Sequence, residues 1–168
     1  MLSDKQKKHI LVNRDGLKYY TVEGLEKVHE EMLRLLLIID TIAKENNIPY
    51  WIDGGSLIGI VRHKGFIPWD DDLDIGMMRT DYRKFCEVAP KEFNESFQIF
   101  TFNTQKDFHH FLARVVCKNR ICFEDEHLRR FHGFPYIAGL DIFVHDNVSD
   151  DAMLQEKCEK TACLAVCA

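Results

Sequence analysis

Four aspartates stand close together in the segment FIPWDDDLDIGM, residues 66–77, at positions 70, 71, 72 and 74. The residues that flank them are apolar, which predicts partial burial and argues against a solvated acidic turn. On a strand, alternate side chains share a face, so Asp72 and Asp74 point to the same side. Two adjacent carboxylates raise each other's pKa unless a cation lies between them. This pattern indicates a divalent ion with oxygen ligands, Mg²⁺ or alternatively Mn²⁺.

A third carboxylate lies in a second apolar strand pattern, YIAGLDIFV, residues 136–144, where Asp141 follows Asp74 by 67 residues. If the two strands are neighbours, Asp72, Asp74 and Asp141 converge. Such a cluster serves phosphoryl or nucleotidyl transfer, in which a metal neutralises phosphate and activates an attacking hydroxyl. We therefore expect the three carboxylates to meet around a shared divalent cation.

A calcium loop of the EF-hand type is the competing interpretation of the acidic segment. With Asp70 as the first ligand, Asp72 and Asp74 fall on the third and fifth positions. The sixth position should then be Gly but is Ile75, and the twelfth should be Glu but is Asp81. These mismatches argue against calcium.

A glycine-rich turn, Gly54-Gly55-Ser56, precedes the acidic segment at a predicted junction of strand and helix. Glycines there let the backbone approach a ligand, and the N-terminus of the following helix offers free N–H groups to an anion. Arg62 and Lys64, further along that helix, are available for phosphate. Taken alone, Arg62 fits a surface ion pair equally well.

Several aromatic and polar residues near these motifs have two interpretations. Trp69, with Trp51 and Tyr50, fits an aromatic face for a quaternary ammonium, although core packing is the more common role of such residues. Asp70 is a candidate for a residue that positions the metal ligands, since alternation places it on the same side of the chain as Asp72. Asp70 and Asp71 also fit ordinary turn caps. Arg114, inside an apolar strand, fits a phosphate contact and an ion pair with an aspartate equally well.

Two cysteines and two histidines recur at intervals of five residues, at Cys117, Cys122, His127 and His132. This pattern raises the hypothesis of a zinc site. The ligand types suit zinc, but the set lacks the tight first pair of a zinc knuckle or finger, which argues against a zinc site. We expect Cys158, Cys163 and Cys167, on a terminal helix, to pack inside the protein.

Composition bounds the function classes. The chain has 168 residues, 46% hydrophobic and 29% charged, which suits one domain with a real core. A net charge of −5 without a long basic run argues against nucleic-acid binding. The polar start MLSDKQKKHI does not resemble a signal peptide, and the longest aliphatic run, 35–39, is too short for a bilayer. Six cysteines without a CxxC pair predict reduced thiols and a cytoplasmic protein.

The order of predicted elements is helix, strand, helix, strand, then mixed strands and a helix. Thr21 is a candidate N-cap for a long helix that ends at Asn46-Asn47, before Pro49. We expect a polar lead-in over 1–20 and one domain over 21–168, whose apolar end indicates a buried helix or a shortened chain. The predicted fold class is α+β, with a mixed sheet covered by helices. The remaining predictions are a second helix from Ser56 to Gly65, a helix capped by Thr80, strands at FQIFTF, HFLARVV and RICFE, and a final helix capped by Ser149 or Asp150.

The stretch YWIDGGSLIGIVRHKGFIPWDDDLDIGM, residues 50–77, resembles the signature of the LicD family. Members show a glycine-rich turn, a helix that ends in Arg-His, and then IPWDDD followed by a hydrophobic residue and Asp. The family is similar to the nucleotidyltransferase superfamily, in which a third Asp lies on a later strand, as in GLDIF around Asp141. The likeness covers most of residues 22–146 and implies a nucleotidyltransferase-like sheet.

The resemblance implies a metal-dependent transferase that moves a phospho-alcohol, best known as phosphocholine, from a CDP-activated donor to a glycan. Carried over by position, Asp72, Asp74 and Asp141 become the metal and catalytic carboxylates, with Asp141 as the base. Gly55 and Ser56 become the phosphate-facing turn, and Arg62 a donor-phosphate contact. We expect Gly54 and Lys64, from the same turn and helix, to belong to this donor-binding set. The glycan acceptor would link a cytoplasmic protein to the membrane. Family members continue further past the third Asp, so the alternative is a silent module that binds a nucleotide or a partner.

Overall fold

In a computed structural model, the chain is described for residues 11–14, 17–93, 97–101, 104, 110–117, 125 and 139–166. The described elements, in chain order, are β1 Leu11–Arg14, β2 Leu17–Tyr20, α1 Val22–Glu45, β3 Trp51–Ile52, α2 Gly54–His63, β4 Leu73–Met78, α3 Arg79–Glu92, β5 Phe97–Phe100, β6 Leu112–Cys117, β7 Gly139–His145 and α4 Ala152–Val166.

The long helix α1 begins and ends where the sequence predicts. The hydroxyl of Thr21 accepts a hydrogen bond of 2.9 Å from the N–H of Gly24, which satisfies a donor of the first turn. Asn46 ends the helix, and its N–H donates to the carbonyl of Ile42. One stripe of α1 is buried in the main core, at Val28, Met32, Leu35, Ile39, Ile42 and Ala43.

A five-stranded mixed sheet of order β3-β4-β7-β6-β5 forms the centre of the molecule. Strands β4 and β7 are parallel, and the other neighbouring pairs are antiparallel. The two faces of the sheet differ, because side chains alternate along each strand. Leu73, Ile75 and Met77 of β4 belong to the core on one face, together with residues of α1 and α3. Asp74 and Gly76 therefore lie on the opposite face. The predicted mixed sheet with helices and a long N-terminal helix is confirmed.

The structure refines several local predictions. An antiparallel hairpin of β1 and β2 occupies part of the segment expected to be a polar lead-in. Helix α2 begins at Gly54, so the glycine-rich turn is the first turn of the helix. Helix α3 has Met78 at its N-cap without a side-chain hydrogen bond, where Thr80 was predicted. Asp151 caps α4 by accepting from the N–H groups of Met153 and Leu154, where Ser149 or Asp150 was predicted.

The three remaining strand predictions and the cysteine predictions have different outcomes. FQIFTF and HFLARVV contain β5 and β6, whereas RICFE lies outside the described residues. Cys122, His127 and His132 of the zinc hypothesis, and the side chain of Cys117, also lie outside them. Cys158 is exposed, so the prediction that it packs inside is wrong, because α4 presents that side to solvent. Within the described ranges, no helix combines the length and the apolar character needed to cross a membrane.

Candidate functional site

Asp74 and Asp141 lie side by side. The parallel register of β4 and β7 pairs them directly, and both are buried, at 9% and 6% exposure. Asp72 comes just before β4 on the same face as Asp74 and is half-buried. The prediction that the two acidic strands are neighbours is confirmed.

Arg114 holds the carboxylate of Asp141. The two residues are direct partners across the antiparallel pair of β6 and β7. The guanidinium donates through Nε to Oδ1 and through Nη2 to Oδ2, at 2.5 Å each. Such a two-pronged pair fixes the plane of the carboxylate as well as its charge. Of the two interpretations left open for Arg114, the structure shows the ion pair.

The first turn of α2 is built around Asp74. The backbone N–H of Asp74 donates to the hydroxyl of Ser56 at 2.8 Å, and the N–H of Asp53 donates to the Asp74 carbonyl at 3.0 Å. The N–H of Gly55 donates to the Asp74 carboxylate. At Gly54, where φ is 50°, an added Cβ would lie 2.8 Å from Oδ2 of Asp74. Glycine is therefore required at position 54 for two reasons, space and backbone conformation.

The clustered carboxylates carry strongly shifted pKa values. Burial, followed by the charges of Asp74 and Asp70, raises the pKa of Asp72 to about 7. Burial and then the charge of Asp141 raise the pKa of Asp74 to about 6, although the hydrogen bond from Gly55 opposes this. Such shifts mean that ionised Asp72 and Asp74 lack enough positive charge nearby.

A divalent cation fits this donor set through two carboxylates. Mg²⁺ is usually held by one or two carboxylates together with substrate phosphates and water. Asp72 and Asp74 supply those oxygens, whereas the carboxylate of Asp141 is engaged by Arg114. Among the described residues, no three His, Cys, Asp or Glu side chains form a ready-made metal cage. The carboxylate of Asp141 is paired with Arg114 in this structure, and its role as a third metal ligand stays a prediction.

Asp70 also approaches the first turn of α2. A Cβ added at Gly55 would lie 3.3 Å from Oδ2 of Asp70 and 3.9 Å from Oδ2 of Asp74, so both carboxylates face that glycine. The ring of His29 in α1 bonds to the carbonyl of Asp70 at 2.7 Å and stacks on Phe66 at 4.2 Å. These contacts fix the loop that brings Asp70 next to the other carboxylates.

Arg62 and Lys64 lie at the other end of α2. Both are exposed; Arg62 donates to His63 at 2.9 Å, and Lys64 donates to the carbonyl of Val61 at 3.2 Å. Arg62 lies six residues beyond Ser56, about 9 Å along the helix axis at about 1.5 Å per residue. The role of these two cations as phosphate contacts stays a prediction.

The tryptophans are not core residues, contrary to the favoured interpretation. Trp69 is 71% exposed and lies edge-on to His63, with ring centroids 5.9 Å apart. Trp51 is 38% exposed, whereas Tyr50 packs against the core and donates from its hydroxyl to Asp40 at 2.9 Å. Neighbouring positions on a short edge strand alternate between faces, so Tyr50 and Trp51 have different surroundings.

Asp53 and His145 form a part of the site that sequence reasoning missed. Oδ1 of Asp53 accepts from the N–H of Gly54 at 2.9 Å and caps α2, and Oδ2 contacts Nε2 of His145 at 2.7 Å. Partial burial raises the pKa of Asp53, but these hydrogen bonds and one from Trp51 lower it overall. Two signals were available: an Asp directly before Gly-Gly, and the alternation that places His145 on the face of Asp141.

Comparisons with known proteins agree with this arrangement. Residues 47–152 match the family model described as LicD/FKTN/FKRP, nucleotidyltransferase domain. The lipopolysaccharide cholinephosphotransferase LicD of Haemophilus influenzae is 33% identical over 132 residues, which are 74% of this chain and 46% of that protein. The ribitol 5-phosphate transferase FKRP of Homo sapiens is 50% identical over 34 residues, 20% of this chain and 7% of its own length. The ribitol-5-phosphate transferase FKTN of Mus musculus is 31% identical over 58 residues, 34% and 13% of the two chains.

The chain spans less than half the length of these curated relatives. The family match nevertheless includes the first turn of α2, both acidic strands and Arg114. The relatives named here are transferases of phosphate-bearing alcohols. The chain belongs to the LicD/FKTN/FKRP family of nucleotidyltransferase domains.

Proposed function

We propose that this protein is a metal-dependent transferase that moves a phospho-alcohol from a CDP-activated donor to a glycan. The observation that carries the proposal is the pair Asp72 and Asp74, whose pKa values of about 7 and about 6 mark a site short of positive charge. The names of the relatives support the reaction class. Mg²⁺ is the metal we propose, with Mn²⁺ as an alternative.

In this proposal, Asp72 and Asp74 hold the metal, which when bound neutralises the pyrophosphate of the donor and activates the acceptor hydroxyl. The first turn of α2 lies beside these carboxylates, and the positive end of the helix dipole there favours an anionic donor. Asp141 is the proposed base for the acceptor hydroxyl, and Arg114 keeps its carboxylate in one orientation. The protein itself contributes mainly positioning and charge compensation.

The proposal also covers the glycan acceptor and the cellular compartment of the protein. The LicD relative is named for lipopolysaccharide, a glycan anchored in a membrane, which supports an acceptor of that kind. We accordingly propose a cytoplasmic protein that meets its acceptor at a membrane surface.

The test is transfer from CDP-choline and from CDP-ribitol to a glycan acceptor, with Mg²⁺ or with EDTA. We expect one of the two donors to be turned over, and only when Mg²⁺ is present. The transfer rate should fall by about 100-fold or more in D72N and D74N. D150N is the matched control, because Asp150 is exposed and lies outside the site. Full activity of D74N, or equal activity in EDTA, would contradict the proposal.

Binding without turnover is the result that favours the silent module instead. A thermal shift with CDP-choline and Mg²⁺ together, but not with either alone, shows that the donor site is built. If that shift occurs while no acceptor is modified, the protein is a nucleotide-binding member of the family.

A further inference from the structure

Trp51 lies across Gly76 on the face of the sheet that carries Asp74 and Asp141. The two residues are register partners on β3 and β4. A Cβ added at Gly76 would lie 2.4 Å from Cε2 and Nε1 of the indole and 2.7 Å from Cζ2. No side chain larger than hydrogen fits there, since real Cβ atoms do not come so close to another heavy atom. A glycine inside a strand marks such a close approach, and here the group that approaches is an aromatic ring.

The ring is held in place from its other sides as well. His145 meets it edge-to-face, with centroids 4.9 Å apart and planes 60° apart. His145 is in turn paired with Asp53, the residue that caps α2. Phe143 is the register partner of Gly76 on β7 and so lies on the same face. Trp51 is therefore tied to the strand and to the first turn of α2.

These aromatic side chains are nevertheless open to solvent. Trp51 is 38% exposed, Phe143 is 39% exposed, and the side chain of His145 is 44% exposed. Apolar rings that are positioned by packing and still face water are candidates for ligand contact. We call this surface, formed by Trp51, Phe143 and His145, the aromatic shelf.

The aromatic shelf begins two residues from Asp74. Gly76 follows Asp74 on the same face of β4, a step of about 6.6 Å along a strand. A nucleotide whose phosphates lie at the carboxylates and the first turn of α2 would extend its sugar and base along this face. The shelf lies on the face of Asp74, next to Gly76, where such a base would meet it.

We propose that Trp51 stacks on the base of the nucleoside diphosphate donor and that the aromatic shelf is the base-binding part of the site. The inference rests on the proposed function and adds the residues that recognise the nucleotide. Stacking on an aromatic ring suits a flat base. A quaternary ammonium is a less suitable ligand for this ring. The nearby carboxylate of Asp53, which would balance its charge, is already bonded to Gly54 and His145.

Tryptophan fluorescence tests the stacking directly, because the chain has two tryptophans. In W69F only Trp51 emits, and we expect CMP with Mg²⁺ to quench this emission. In W51F only Trp69 emits, and we expect CMP to leave it unquenched. Phosphocholine, which lacks the base, should quench neither variant. Quenching of Trp51 by phosphocholine, or none by CMP, overturns the proposal.

Titration calorimetry separates the contribution of the base to the binding affinity from that of the phosphates. W51A should bind CMP about 5- to 150-fold more weakly, the ratio expected for one base–aromatic stack. The same variant should bind pyrophosphate with Mg²⁺ as the wild type does, which also shows that it is folded. G76A gives a second route, since its new methyl group displaces the ring and should reproduce the loss for CMP.

The failure of this inference differs from the failure of the proposed function. If W51A and the wild type bind CMP equally, the aromatic shelf does not bind the base, although the donor site stands. If the wild type binds neither CMP nor pyrophosphate with Mg²⁺, the donor assignment itself is wrong, and the inference falls with it.

Discussion

Replacing Asp74 with Asn should stabilise the metal-free protein at neutral and alkaline pH. In the folded chain the pKa of Asp74 is raised to about 6 from 3.8, first by burial and then by the charge of Asp141. A raised carboxylate pKa means that the folded state prefers the protonated acid. The resulting stability is fully present below about pH 4 and is lost as the pH rises through about 6.

The size of the effect follows from the pKa difference. Each pKa unit between the folded and unfolded states is worth about 1.4 kcal/mol, so ionisation of Asp74 costs the folded protein on the order of 3 kcal/mol. Asn keeps an oxygen that can accept from the N–H of Gly55 and carries no charge at any pH. The gain in D74N should therefore approach 3 kcal/mol at pH 8 and nearly vanish at about pH 4.

Urea unfolding in EDTA, followed by circular dichroism at pH 4 and pH 8, measures this directly. D40N is the matched control. Hydrogen bonds from Lys44 and Tyr50 lower the pKa of Asp40, so D40N should lower the free energy of unfolding at pH 8, whereas D74N should raise it. Addition of Mg²⁺ should then stabilise the wild type at pH 8 but not D74N. A D74N protein that is no more stable than the wild type at pH 8 would refute the electrostatic account of the site.

Five further substitutions, two of them controls, probe helix α2 and the turn that follows it. S56A removes the acceptor for the buried N–H of Asp74 and should lower the free energy of unfolding by about 1–3 kcal/mol in urea titrations. D53A removes the N-cap and should cost about 1 kcal/mol, with a smaller loss in D53N, which can still cap. G59A places a Cβ 2.6 Å from the carbonyl of Gly65 and should cost about 1–3 kcal/mol, whereas G65A meets nothing within 4 Å and should melt like the wild type. Equal melting temperatures for G59A and G65A would show that the backbone around Gly65 moves to accommodate the added methyl group at little cost in stability.

The strands and the acidic cluster could be predicted from the sequence because their signals are local. The alternation in DLDIGM places Asp74 on one face, and GLDIF repeats the pattern around Asp141. Their pairing needed one further assumption, that the strands are neighbours, and the parallel register confirms it. The cap of α1 at Thr21 was likewise a local signal.

What the sequence left undecided depends on contacts between distant elements. Arg114 had two equally good interpretations until the pairing of β6 with β7 placed it opposite Asp141. The packing of Trp51 against Gly76 depends on the pairing of β3 with β4, which no local pattern reveals.

The parallel pairing of β4 with β7 also bears on how the protein folds. Strand β7 must find β4 after 60 intervening residues, between Met78 and Gly139, and such distant contacts slow folding because a long loop must first be closed. Until that step is complete, Asp141 does not lie beside Asp74. Mutations that weaken the β4–β7 seam should therefore delay the appearance of activity during refolding, even where they leave every polar side chain unchanged.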